Sequence, residues 1–383
     1  MAMPKIFQWI LPVTFMAFLP ACGQRAIVTE LTTSATPAPV VKLADTPTSL
    51  PPTPTRTPEP PQPTATPAPT STFTPSPTAT STSTATSTPT VTPTPDPYAG
   101  LTIADLSART YGGGELKIEE VLAVTDAFTR TLVSYPSEGL TLYGFMNTPP
   151  GAGPFPVALV MHGYIPPEQY NTIAYTTRYA DALARAGFLV IHPNYRNYPP
   201  SDEGPDLFRA NQAVDALNLI AIIKAQAGQP GPLQSADASF VGMLGHSMGG
   251  GITLRTITIS NAVQAAVLYG AMSGDEQRNY EKIAEWSGRG RGLEELQASP
   301  EDLQRISPIF FLDRITAPVS IHHGDYDGTV PPAWSEELCQ KLQALHKMVE
   351  CFTYPGQPHT FQGEGDQLFM QRVVDFFNRI RRK

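Results

Sequence analysis

The sequence predicts an α/β domain with a mostly parallel central sheet, helices on both faces and a small helical insertion. Three observations predict it. Short apolar runs, among them residues 155–161 (FPVALVM), 188–191 and 265–269, lack the strict alternation of half-buried strands and suit a sheet buried on both faces. Helix-forming stretches separate these runs, and strands alternating with helices imply right-handed crossovers. Lastly, Gly245-His246-Ser247-Met248-Gly249 lies between an apolar run, residues 240–244, and a helix-forming stretch from about 248 to 260. That is strand, tight turn and helix, with a serine at the turn.

Composition divides the chain. It has 383 residues, 41 prolines and a net charge of −8, and the prolines crowd between Thr46 and Pro97. Before residue 98, Lys5, Arg25, Lys42 and Arg56 offset Glu30, Asp45, Glu59 and Asp96, so the whole −8 falls on the remainder. That remainder is long enough for one large domain with a substantial core. An acidic domain without basic clusters offers nucleic acid no electrostatic footprint, and no nucleic-acid partner is expected. The expected organisation is a signal peptide over 1–22, a disordered stalk over 23–97 and a catalytic domain over 98–383.

At the amino terminus, Lys5 precedes an apolar segment from about Phe7 to Leu19, too short for a membrane span and shaped like a signal peptide. Its end, Leu19-Pro20-Ala21-Cys22, resembles the lipobox of bacterial lipoproteins, although Pro20 is an unusual occupant. The resemblance implies a lipidated Cys22 as mature amino terminus, hence a membrane lipid anchor and an extracytoplasmic location. The other reading is an ordinary secretory signal. Two acyl chains suffice for stable anchoring where one is marginal. The Thr/Pro/Ser tract that follows has too few aliphatic side chains to offset chain entropy. Proline at that density favours extended polyproline II, and about 50 residues at roughly 3.1 Å each would reach on the order of 150 Å.

In the folded part, residues 128–135 and 140–146 read as a hairpin turning at Ser137-Glu138-Gly139. The run at 155–161 ends in His162-Gly163-Tyr164. Residues 172–186 form an amphipathic helix closed by Gly187. A strand at 188–191 and a long helix from 206 to about 226 precede the serine turn, and a strand at 265–269 follows its helix. Between Ala271 and Leu312 the alternation stops; the stretch is charged, glycine-containing and helical in patches. It either lies over the site or is a surface excursion. Order resumes with a strand at 319–322, a helix from about 334 to 346, a strand at 349–354 and a closing helix at 366–381.

A serine between a strand and a helix that reverses over it takes a strained backbone, and glycines two before and two after let the elements pass. Its Oγ would stand clear of the sheet, with the Met248 N–H and the helix amino terminus aimed at a developing oxyanion. Near pH 7 a serine hydroxyl needs a base, and the base an orienting acid. Candidates follow in the order Ser, Asp, His, on loops leaving the carboxyl ends of strands, where parallel sheets build sites. His359, in GQPHTF, is the expected base, and Asp325 and Asp327 are the candidate acids. His192 and His346 suggest no catalytic role, and the His246 ring should point away from the Ser247 hydroxyl. Of the consecutive His322 and His323, one should face the core and the other a neighbouring loop. No second ligand cluster has metal spacing, so no metal or cofactor is expected.

From about residue 128 onward, VALVMHGY, GHSMGGG, SPIFFLDRITAPVSIHHGDYDGTVPP and TYPGQPHTF resemble an α/β-hydrolase of the prolyl oligopeptidase/dienelactone hydrolase-like group. The serine segment is also similar to that of polyester-cleaving cutinases. The resemblance implies Asp327 as the acid, three residues after Gly324 and three before Val330. It also implies the Tyr164 N–H as second oxyanion donor beside Met248. Dienelactone hydrolases use a cysteine nucleophile, and serine stands here. In the implied mechanism Ser247 attacks an acyl carbonyl, His359 takes its proton, Asp327 holds the imidazole, and water hydrolyses the acyl-enzyme.

Cys339 and Cys351 flank a helix end and a strand start, and in an exported protein the pair is expected to form a disulfide, with two buried thiols as the alternative. The expected function is a serine hydrolase of carboxylic esters acting on a small-molecule or polymer-linked acyl ester. A prolyl oligopeptidase-like peptidase is the alternative. Full-length members of that family gate the site with an amino-terminal propeller, whereas here the signal, stalk and hairpin take that space. A non-catalytic binding protein is a third reading, disfavoured by serine, acid, base and elbow glycines together.

Overall fold

The structure, a computed structural model, describes residues 96–382 apart from residue 174. Cys22 and the expected signal peptide lie outside the described residues, as does the stalk except for residues 96 and 97. Among the described residues nine strands form one sheet in the order β1-β2-β3-β5-β4-β6-β7-β8-β9. They are β1 (Lys117–Val124), β2 (Thr129–Ser137), β3 (Leu140–Thr148), β4 (Phe155–Met161), β5 (Leu189–Pro193), β6 (Ala236–His246), β7 (Ala265–Tyr269), β8 (Val319–Gly324) and β9 (Val349–Tyr354). The first three and β5 pair antiparallel. From β5 through β9 every pairing is parallel.

Central strands β4, β5 and β7 are buried along nearly their whole length, which is why their sequences are unbroken apolar runs. Helices α2 (Thr177–Arg185) and α8 (Gly363–Arg381) cover one face, where Tyr179, Leu183, Phe369, Val373 and Phe377 meet Val160, Val190 and Val267. Helices α3 (Ala210–Gln226), α4 (Met248–Ile259) and α7 (Pro332–Ala344) cover the other, burying Leu217, Ile220, Ile252 and Leu342 with Leu159, Met243 and Ile321. Among the described residues no helix is long and apolar enough to cross a membrane.

Chain direction decides where the site lies. The chain runs from β4 to β5 on one side and returns past β4 to β6 on the other, so the strand order reverses at the β4–β6 pair. Loops leaving the carboxyl ends of strands at such a point part and leave a crevice. His162-Gly163-Tyr164 and Ser247 leave those two strands.

Several elements depart from the sequence expectation. Helix α1 (Ile103–Ala108), capped by the Thr102 hydroxyl, and strand β1 were not foreseen. Helix α2 begins at Thr177, not 172, after a short 3₁₀ turn at Pro167–Gln169. The long helix breaks near its start, because Phe208 and Arg209 hold φ of 55° and 53° before α3 begins.

The stretch from Ala271 to Leu312 forms α5 (Glu276–Trp286), α6 (Pro300–Ile306) and short 3₁₀ turns. It packs onto the body around Phe208, with Tyr280, Leu303 and Ile306 buried beside it. The buried Arg255 of α4 bonds Glu276 at 2.5 Å and the Ile306 carbonyl at 2.8 Å. Arg291, in the turn after α5, lies 5.1 Å over the Tyr164 ring. The insertion is therefore anchored in the domain and reaches the loop after β4.

Candidate active site

Ser247 is the residue between β6 and α4, with φ 55° and ψ −117°, a conformation costly for a side-chain-bearing residue. The surroundings over-determine it. Its N–H donates to the Tyr269 carbonyl at 2.9 Å, and its carbonyl accepts from Gly250 and Met272 at 3.0 Å. A Cβ on Gly245 would lie 2.2 Å from the Gly249 carbonyl oxygen, and one on Gly249 2.2 Å from that of Met161. These contacts are backbone, which cannot swing aside. The two glycines thus let helix α4 pass over strand β6 and sit against the end of β4.

Met248 is the first residue of α4, so its N–H has no intrahelical acceptor and points out with the positive end of the helix. The loop after β4 comes close on the other side: a Cβ on Gly163 would lie 3.1 Å from Ser247 Cβ. Tyr164 follows at once, its ring half-exposed beneath Arg291. His162 anchors that loop. Its buried ring lies 2.8 Å from the Gly163 carbonyl and 3.0 Å from the Asn194 carbonyl, and burial pushes its pKa down to about 4.

The acid and base come from adjacent strand ends. Asp327, after β8, has Oδ2 2.7 Å from His359 Nδ1, after β9. Its Oδ1 accepts the Thr329 and Val330 N–H groups at 2.8 and 2.9 Å. Burial works to raise the Asp327 pKa, but hydrogen bonds from His323 and His359 outweigh it and hold the carboxyl well below the usual carboxylate range. Asp325, the other candidate, turns away to accept the Gly356 N–H at 2.6 Å. The imidazole rests against Gly270, where an added Cβ would lie 3.3 Å from His359 Nδ1. Gly270 follows Tyr269, whose carbonyl holds the Ser247 N–H. Serine, acid and base are thus gathered at one end of β6, β7, β8 and β9.

Three further side chains belong to this arrangement and were not assigned from sequence. His246 Nε2 lies 2.9 Å from the His359 carbonyl and its Nδ1 2.5 Å from the Tyr175 hydroxyl. Burial takes the His246 pKa down to about 3, so the ring is neutral, donating through Nε2–H and accepting from Tyr175. The Tyr175 oxygen in turn accepts the Gly163 N–H at 3.2 Å. A strut of hydrogen bonds therefore joins the loop after β4 to the backbone of His359. The third is His323, whose Nε2 is 2.9 Å from Asp327 Oδ2. His322 faces the opposite side of the sheet and bonds Tyr354 and Ser320. Sequence placed one of the two in the core; the structure buries both.

Cys339 on α7 and Cys351 on β9 are joined by a disulfide, with their Cα atoms 6.4 Å apart. The bond ties the helix after Asp327 to the strand before His359.

Residues 142–379 match the dienelactone hydrolase family. The chain belongs to that family. As a dienelactone hydrolase family member it carries the α/β-hydrolase fold seen above, and it is a hydrolase. One relative, from Synechocystis sp. and provisionally named a carboxymethylenebutenolidase, is 23% identical over 60% of this chain and 85% of its own length. Among solved structures, the acetyl xylan esterase of Paenibacillus sp. R4 has a TM-score of 0.53 at 17% identity, covering 71% of this chain and 91% of that one. The acylaminoacyl peptidase of Pyrococcus horikoshii has a TM-score of 0.51 at 20% identity, covering 66% of this chain. The chain spans 42% of that peptidase's length. At such identities these two likenesses concern the fold, which esterases and peptidases share.

Proposed function

We propose that the protein is an extracytoplasmic serine hydrolase that cleaves carboxylic esters through an acyl-enzyme on Ser247. The observation that carries this reading is the 2.7 Å contact between Asp327 and His359, set against the backbone that holds the strained Ser247. In this mechanism the His359 Nδ1–H donates to Asp327, which leaves Nε2 free to accept the Ser247 proton as Oγ attacks the acyl carbon. The buried Asp327 charge stabilises the imidazolium that results. The Met248 and Tyr164 N–H groups receive the oxyanion, and each such donor is worth on the order of 10²–10³ in rate. His359 then protonates the leaving alkoxide, and water repeats the sequence on the acyl-enzyme. An ester is favoured over a peptide because resonance with nitrogen makes an amide carbonyl harder to attack, and the amide nitrogen must be protonated before it can leave.

The test uses the full chain and Ser247→Ala on p-nitrophenyl acetate, p-nitrophenyl butyrate and a prolyl p-nitroanilide. The expected result is ester turnover that falls on the order of 10⁶-fold in the variant, as for removal of a nucleophile that acts within a unit. Anilide cleavage at a comparable rate would replace the esterase reading with the peptidase one. Wild-type protein that neither turns over an ester nor accepts a fluorophosphonate label would sink both.

Location rests on Leu19-Pro20-Ala21-Cys22. In a bacterial host, activity is expected in the membrane fraction and Cys22→Ser is expected to release it. Equal partitioning of the two forms would remove the lipid anchor from the proposal.

A further inference from the structure

Ser247, Asp327 and His359 account for the proposed chemistry without His323, yet His323 touches the acid as directly as the base does. It lies on β8 and is only 3% exposed. Its Nδ1 is 2.6 Å from Ser335 Oγ on the first turns of α7. Its Nε2 is 2.9 Å from Asp327 Oδ2 and 3.1 Å from the Val330 carbonyl oxygen. A carbonyl can only accept, and so can an ionised carboxylate, so the proton on this ring is fixed at Nε2.

The geometry points to His323 as a positioning residue for the acid, its Nε2–H donating to the carboxylate oxygen that also receives the His359 Nδ1–H. This inference rests on the reading of Asp327 and His359 as acid and base. Asp327 then has every acceptor position filled: two backbone N–H groups on Oδ1 and two imidazole N–H groups on Oδ2. Two consequences follow for the chemistry. The carboxylate cannot rotate, since any turn would break bonds on both oxygens. Its pull on the His359 proton is also weakened, because each donor to a carboxylate lowers the energy of its charge. His323 therefore moderates how tightly Asp327 holds the His359 proton.

The other charged or titratable groups around the pair are accounted for. The His246 ring, 4.7 Å from that of His359, is held neutral by burial, its pKa pushed down to about 3. Arg178 of α2 pairs with Asp366 of α8 at 3.0 Å. Asp325 is committed to the Gly356 N–H, and His322 to Tyr354 and Ser320 across the sheet. Glu336, next to Ser335, lines a groove of about 180 Å³ between α7 and β9 that His323 also lines.

A histidine that merely filled the core would cost stability when replaced but would leave the titration of His359 where it was. The test compares the full chain with His323→Phe and His323→Gln. Phenylalanine fills the space without a donor, and the glutamine amide can donate from close to the Nε2 position. Two readouts are taken. One is the acid limb of the kcat/KM profile on p-nitrophenyl acetate; the other is the His359 pKa from NMR titration of its ring protons, which needs no turnover.

His323→Phe is expected to raise both values by about one unit, the scale of one lost hydrogen bond to a charge. It should also lower kcat about tenfold. His323→Gln is expected to return both values most of the way to wild type. A His359 pKa that is the same in wild type and both folded variants would overturn the inference. If His323→Phe does not fold, Ser335→Ala takes its place: loss of the bond to Nδ1 weakens the Nε2–H donor, so a smaller upward shift is expected, and none would overturn the inference equally. Wild type without ester turnover would count against the proposed function, and the NMR titration would still decide the role of His323.

Discussion

The two halves of the candidate site are built by different means. On the nucleophile side, position is set by covalent geometry and close backbone contact. Ser247 is held by its own main-chain hydrogen bonds, and Gly245 and Gly249 leave no room for a Cβ. On the acid–base side, position is set by side chains: four donors on Asp327, the His246 bond to the His359 carbonyl, and a disulfide between the supporting helix and strand. Steric placement tolerates almost no substitution and is indifferent to pH. Placement by hydrogen bonds is graded, and the position of a proton can tune it. The chemistry asks for this division. The nucleophile must be fixed in space, whereas the base must change its charge in every cycle.

Substitutions should separate the two kinds of support. The largest effect is expected from Gly245→Ala, whose methyl would be driven into the Gly249 carbonyl. Overpacking against backbone is expected to cost about 3 kcal/mol or more and to abolish ester turnover in whatever folds. Urea denaturation and an activity assay check this, and near-wild-type activity would show that the elbow has more slack than its contacts allow. A smaller effect is expected from Cys339→Ser with Cys351→Ser. Closing a loop of this length contributes about 2–3 kcal/mol, chiefly by restricting the unfolded chain. The double variant should melt at a lower temperature, by about 5 °C, and retain kcat within about tenfold. Loss of activity without loss of stability would mean that the disulfide positions the acid and base more directly than the hydrogen bonds do.

The same contrast explains what could be read from the sequence. The nucleophile elbow was legible because its requirements are local: an apolar run, glycines at fixed offsets and a helix-forming stretch. His359 and the two aspartates could be placed at strand ends on the same grounds, but local pattern alone did not choose between Asp325 and Asp327. That choice depends on which carboxylate the base meets in space. Tyr175 and His246, 71 residues apart, meet only because β4 and β6 are neighbours. In the sequence His323 is simply one of two consecutive histidines whose side chains face opposite ways along a strand. Sequence could not show that the turn after β8 folds Asp327 back onto it. Strand β1 was missed for another reason: it is exposed along nearly its whole length, so its sequence, KIEEVLAV, carries no buried period.

That exposed strand has a bearing on how copies of the molecule behave together. An outermost strand presents free main-chain donors and acceptors, and another chain can extend the sheet from them. Here Ile118, Val121, Leu122 and Val124 are solvent-facing, which would make the edge adhesive. Glu119 and Glu120 interrupt the apolar residues, and the pairing of β1 with β2 slips at two places, between Ile118 and Glu120 and again between Val121 and Ala123. Bulges increase local twist and carboxylates repel a like strand, so a second copy would meet a bent, negatively charged margin. The exposure that hid this strand from the sequence pattern is thus matched by an irregular, charged edge of the kind that disfavours edge-to-edge pairing between crowded copies.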